Sequence, residues 1–115
     1  MATHKELDVW KEAIDLVTKI YKMTADFPDR EQFGLVSQMT RAAISVPSNI
    51  AEGAARGTSK EYVRFLNISL ASLSELETQL IISQNLGYSV TLEIFSDVEN
   101  IQAKLYKLRN YLNTK

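Results

Sequence analysis

The stretch Leu92–Leu112, LEIFSDVENIQAKLYKLRNYL, sets the reading of the chain. Ile94, Val98, Ile101, Leu105, Leu108 and Leu112 recur at alternating steps of four and three residues. At about 3.6 residues per turn such steps return to one face of a helix, so the stretch reads as a helix with a single apolar seam. Its charges support this: Glu93, Asp97 and Glu99 come early and Lys104, Lys107 and Arg109 late, which complements the helix dipole. A seam of this kind has to be covered by other helices, and the rest of the chain supplies three.

Working back toward the N-terminus, a helix is predicted over 59–86, with Thr58 and Glu61 at capping-box spacing and Gly87 as a left-handed terminator. Tyr62, Phe65, Ser69, Leu73, Leu76, Leu80 and Ser83 share one side, and Leu66, Leu70, Ile81 and Ile82 widen the apolar surface. Another helix is predicted over 30–55, capped by Asp29, with Phe33, Leu35, Val36, Met39, Ala42, Ala43, Ile44, Val46 and Ile50 as its apolar set. Pro47 falls inside it and predicts a kink; two shorter helices joined at Ser45–Ser48 are the alternative. The first helix is predicted over 4–25. It opens on Thr3 and Glu6 as a capping box and closes before Pro28. It carries two stripes: Leu7, Trp10, Ile14, Val17 and Tyr21, and Val9, Ala13, Leu16, Ile20 and Met23.

Connections of three to five residues make consecutive helices antiparallel neighbours. The expected fold is therefore all-α: an antiparallel up-down-up-down four-helix bundle, with residues 1–115 as one domain. The doubled stripe of the first helix and the broad apolar girdle near Ile68–Ile82 exceed what a lone bundle needs, so a homo-oligomer is expected.

Composition narrows the function classes. The chain has 115 residues, 45% hydrophobic and 23% charged, with four Gly and two Pro; it is long enough for a core and poor in breaks. No Cys is present and His4 is the single His, which removes thiol chemistry, a Ser-His-Asp relay and the Glu-x-x-His pairs of a di-iron bundle, and nearly excludes a zinc site. Gly53 and Gly57 match no phosphate-cradling loop. Glu75 and Glu77 are two apart and point in different directions on a helix. These residues predict no enzyme, no cofactor, no metal and no small-molecule substrate. The N-terminus lacks the apolar core of a signal peptide, and no apolar run approaches the ~18 residues of a membrane span, so a cytoplasmic protein without membrane contact is expected.

Two polar groupings stand out. Arg41, Asn49, Glu52 and Arg56 read either as a polar site near Pro47 or as a network that fixes helix register, with Glu52 and Arg56 paired across one turn; such pairs are common, which favours the network. Arg56, Lys60 and Arg64, with Arg41 joining them, form the candidate anion or nucleic-acid patch, although Glu52 and Glu61 dilute it. The net charge of −1 makes any nucleic-acid contact a matter of a local patch.

Several segments together resemble a known family. Leu7-Asp-Val-Trp10, Phe27-Pro28 followed by Glu31-Gln-Phe-Gly-Leu35, Gln38-Met-Thr-Arg-Ala-Ala43, Ser45-Val-Pro-Ser-Asn-Ile-Ala-Glu-Gly53 and Ser72-Leu-Ser-Glu-Leu-Glu77 are similar to the 23S rRNA intervening-sequence (four helix bundle) protein family, over nearly the whole chain. The resemblance implies a bacterial protein from a family encoded within ribosomal RNA gene insertions or elsewhere in the genome. It also implies kinship with the accessory variability determinant of diversity-generating retroelements, a barrel-shaped homopentamer that binds a reverse transcriptase and nucleic acid. On that likeness a homopentameric scaffold or adaptor, contacting RNA or a nucleoprotein partner, is expected. The alternative is a protein-interaction module with no nucleic-acid role.

Overall fold

The computed structural model describes residues 3–115. Four helices run through it: α1 Asp8–Thr24, α2 Leu35–Ala54, α3 Ser59–Asn85 and α4 Leu92–Asn113. They alternate up and down, and each packs on its two neighbours, α4 closing the ring against α1. The result is an all-α four-helix bundle measuring 46 × 21 × 20 Å. One apolar cluster fills its length. Leu16 and Ile20 come from α1; Met39, Val46 and Ile50 from α2; Leu66, Leu73, Leu76 and Leu80 from α3; Val98, Ile101 and Leu105 from α4. Among the described residues, no helix is long and apolar enough to cross a membrane.

The seam of α4 packs as its spacing predicts, with Ile94, Val98, Ile101 and Leu105 buried and Leu108 and Leu112 half-buried. The end of α3 also follows its signal. Gly87 takes φ +85°, the Gly87 N–H donates to the Gln84 carbonyl at 2.9 Å, and the Tyr88 N–H donates to the Ser83 carbonyl at 3.0 Å. Those two bonds make a Schellman closure, which needs a residue tolerant of the left-handed region. At the start of α3 the Thr58 hydroxyl accepts from the Glu61 N–H at 3.2 Å.

Two expected helix starts differ. The Thr3 side chain caps nothing; the Glu6 N–H instead donates to the Thr3 carbonyl at 3.0 Å, giving a short 3-10 turn over His4–Glu6. Extended Leu7 then separates that turn from α1 and packs its side chain on the core, while His4 meets Trp10 edge-on at 5.1 Å. The second helix starts at Leu35, not near 30. Asp29–Glu31 form a 3-10 turn with no side-chain cap, and Gly34, whose backbone is non-helical, divides that turn from α2. Glycine is a poor helix interior residue by about 1 kcal/mol. As a consequence Phe33, expected in the apolar set, stands 95% exposed. α4 begins at Leu92 as its seam predicts, with no side-chain cap from Thr91 before it.

At Pro47 the alternative of two helices does not hold, since α2 runs unbroken from Leu35 to Ala54 with Pro47 buried inside it. Proline removes the N–H that would have met the Ala43 carbonyl. The turn around it is braced from the side: the Asn49 amide donates to the Ser45 carbonyl at 2.8 Å, and the Ser69 hydroxyl donates to the Val46 carbonyl at 2.9 Å.

Polar ties close the α1–α4 edge. Lys19 reaches Asp97 at 2.8 Å and Glu93 at 2.9 Å, and Lys104 reaches Glu12 at 2.6 Å. The hydrogen bonds to Asp97 and then Glu93 push the Lys19 ammonium above the usual lysine range. These pairs are partly exposed, so each adds no more than about 1 kcal/mol. At the end where the α1–α2 and α3–α4 connections meet, Tyr88 donates to Glu31 at 2.6 Å and stacks on Phe27 at 4.8 Å. The bond to Glu31 raises the Tyr88 phenol above its ordinary range.

Candidate functional site

The α2–α3 pair is the most extensive contact in the bundle, and it positions the polar residues of interest. Small residues let the two helices approach. At Gly53 the approach is tight: a Cβ there would lie 3.0 Å from the Phe65 Cβ, 3.0 Å from the Tyr62 Cδ1 and 3.2 Å from the Tyr62 carbonyl oxygen. Burial among these groups pushes the Tyr62 phenol up.

Further along the seam, hydroxyls replace apolar side chains. Ser69 bonds the Val46 carbonyl, and the Ser72 hydroxyl donates to Ser45 Oγ at 2.8 Å. Asn49 Nδ2 also donates to Ser45 Oγ, at 2.9 Å. Ser83 donates to the Gln79 carbonyl at 2.8 Å and lies 3.6 Å from the Met39 sulfur. The bonds that cross from α3 to α2, Ser69 to the Val46 carbonyl and Ser72 to Ser45, fix which turn of α2 faces which turn of α3, because a slip by one turn would break both.

The four residues grouped from the sequence as one network do not form one. Asn49 belongs to the Ser45–Ser72 chain inside the seam. Glu52 and Arg56 pair with each other at 3.6 Å on the exposed face, and the Arg56 guanidinium also lies 4.9 Å above the Phe65 ring. Arg41 sits apart from all three, in an outer cleft with Gln38, Ser45, Ser72 and Glu75. The reason is helix geometry. Arg41 and Arg56 are separated by 15 residues of sequence, which is about 22 Å along a helix axis.

The same geometry divides the basic patch. Arg56, Lys60 and Arg64 gather where α2 ends and α3 begins, all three exposed. Arg64 stands 3.9 Å from Glu61, one turn away. Arg41 lies toward the middle of the bundle and does not join them. What the corner can do chemically is hold anions through three exposed cations, two of them shared with carboxylates.

Two further features lie outside these groupings. Gln79 is only 5% exposed, its Nε2 donates to Glu75 Oε2 at 3.2 Å, and its Oε1 is buried without a partner. Its place on the α2 side of α3 could have been read from its spacing to Ser72 and Ser83. The second is an apolar groove of about 310 Å³ along the outside of α1 and α2, lined by Trp10, Ile14, Val17, Ile44, Pro47 and Ala51. It is the first of the two stripes on α1, seen now with its partner stripe on α2. The outer girdle of α3 is also left in solvent, with Ile68, Ile81 and Ile82 exposed.

No curated protein matches the chain. A family model described as 23S rRNA-intervening sequence protein matches residues 5–113.

Proposed function

The chain belongs to the 23S rRNA-intervening sequence protein family, and from that premise we propose that it works as a non-enzymatic homo-oligomeric scaffold that contacts RNA or a nucleoprotein. The observation that carries the assembly is the α1–α2 groove. Trp10, Ile14, Val17 and Ile44 line it, and Tyr21, Phe33 and Val36 continue the apolar surface toward the end of the bundle. A run of large apolar side chains along one face of a small chain is the composition of a subunit contact, aromatic residues above all. A homopentamer is the preferred assembly, from the family resemblance.

Assembly changes the charge argument. One chain carries a net charge of −1, and its Arg56, Lys60 and Arg64 occupy one corner. Repeated around an axis, that corner becomes a ring of cations, and the fields of its members add within a Debye length. Phosphate contacts of this kind give affinity that falls with salt.

Titration of the protein with a structured RNA at increasing salt tests the RNA half. Binding is expected at low ionic strength. Replacing Arg56, Lys60 and Arg64 by alanine should flatten the plot of log K against log salt, by about 0.7–0.9 for each phosphate these side chains neutralise. Absence of binding at low salt removes RNA from the proposal and leaves a protein-only adaptor.

A further inference from the structure

The outer cleft between α2 and α3 brings two residues of the seam, Ser45 and Ser72, together with polar groups that neither the core nor the Arg56 corner uses. It measures about 370 Å³. Gln38, Arg41 and Ser45 stand on its α2 wall at steps of three and four residues, and Ser72 and Glu75 on its α3 wall. Steps of that size set successive side chains about one turn, roughly 5 Å, apart.

Three details mark the cleft as more than a solvated seam. First, Arg41 and Glu75 line it together, yet no ion pair forms between them. Neither charge is taken up by an ion pair, so both stay available to a group that enters the cleft. Second, Ser45 Oγ accepts from both Asn49 and Ser72. A hydroxyl has two lone pairs and one hydrogen, so the Ser45 O–H remains as a donor. Third, Gln79 holds the Glu75 carboxylate at 3.2 Å while its own Oε1 is buried and unpaired. A buried acceptor without a partner weakens a fold, and one that persists calls for a reason. The Nε2 of the same amide gives Glu75 its hydrogen bond to the α3 wall.

The cleft therefore presents donors on one wall and a carboxylate, held by Gln79, on the other. A ligand that fits has two acceptors on one edge and two N–H donors beside them. Guanine has this pattern. Its O6 and N7 match the fork of a guanidinium, and its N1–H and N2–H₂ match the two oxygens of a carboxylate. Adenine has no hydrogen on N1 and places an amino donor where guanine has O6, so it would face Arg41 with the wrong sign. Cytosine reaches a carboxylate with one amino group alone. We propose that the α2–α3 cleft binds a guanine base, with Arg41 donating to O6 and N7 and Glu75 accepting from N1–H and N2–H₂. Gln79 is then a positioning residue for Glu75, and Ser45 supplies a further donor. A base splayed from single-stranded RNA and a free guanine nucleotide share this chemistry. The proposal is separate from the phosphate contacts at Arg56, Lys60 and Arg64, and it can stand if those fail.

Calorimetric titration of the full chain with guanosine monophosphate, adenosine monophosphate and glycine tests it. A second arm uses five-nucleotide RNAs, one all adenine and one with a central guanine. Amide spectra report the place of binding. The guanine nucleotide should bind about tenfold or more tightly than the adenine one, as one bidentate base contact provides, and should move the Gln79 side-chain signals. Tighter binding of the guanine-containing RNA than of the mononucleotide assigns RNA as the source; equal binding assigns the free nucleotide. Glu75→Gln should erase the preference. Gln79→Leu should keep the thermal unfolding curve and still weaken guanine binding. Equal affinity for both nucleotides, no binding of either, a glycine response as strong, or a guanine preference that survives Glu75→Gln overturns the proposal.

Discussion

Replacing Gly53 with valine is expected to lower the stability of the bundle by about 3 kcal/mol, the upper part of the range for overpacking a tight contact. The physical conflict is local. The new Cβ would lie 3.0 Å from the Phe65 Cβ and 3.2 Å from the Tyr62 carbonyl oxygen. Neither group is the free end of a side chain. The Phe65 Cβ is attached directly to the backbone and the Tyr62 oxygen is backbone, so relief requires α2 and α3 to move apart. Separation would loosen the Ser45–Ser72 and Ser69–Val46 bonds further along the same seam. Alanine separates this account from a simple propensity effect. At an open helix position Gly→Ala stabilises by about 1 kcal/mol; at Gly53 the crowding should cancel that gain and make alanine neutral to destabilising. Urea unfolding of the three proteins gives the comparison. A stabilised alanine variant would mean that the helices do not meet this closely.

Leu76→Ala is expected to cost about 3–4 kcal/mol, within the range for emptying a buried leucine site. Leu76 is fully buried at mid-length of α3 and belongs to the central cluster. A small domain holds only about 5–15 kcal/mol in all, so this single truncation should move the unfolding midpoint strongly. Leu92→Ala makes the contrast. Leu92 is 77% exposed in the single chain, and a surface change of that kind stays within about 0.5 kcal/mol. If both variants unfold alike, the burial pattern is wrong.

The fold was legible because its strongest signal is periodic. The steps from Ile94 to Leu112 and from Val9 to Ile20 can be satisfied only by helices, and the connections leave little choice of topology, although the one from α1 to α2, over 25–34, is longer than expected because α2 starts late. Gly87 was readable for a local reason, since its left-handed backbone is needed to finish α3. Helix starts were harder. Thr3 and Glu6, and Asp29 and Gln32, have the right residues at the right spacing. Extended Leu7 and non-helical Gly34 decide otherwise, because packing of the connecting segments outweighs a cap worth about 1 kcal/mol.

The site was half legible for a similar reason. Glu52 with Arg56 follows from spacing along one helix. The Ser45–Ser72 pair does not, because it depends on the register between two helices, which periodicity within each leaves open. Separation of Arg41 from Arg56 could have been read from the rise of a helix alone. The α1–α2 groove was visible as an extra stripe, and its partner residues Ile44, Pro47 and Ala51 became clear only when α2 lay beside α1.

The proposed assembly of this bundle as a subunit is measured most directly by its mass in solution. Light scattering coupled to size-exclusion chromatography, at micromolar concentration, should return a multiple of the 13.0 kDa chain, five copies on the family likeness. Placing a charge in the α1–α2 groove, as Ile14→Glu, should break the particle toward single chains while the helices persist by circular dichroism. A wild-type mass of one chain at that concentration would contradict the claim.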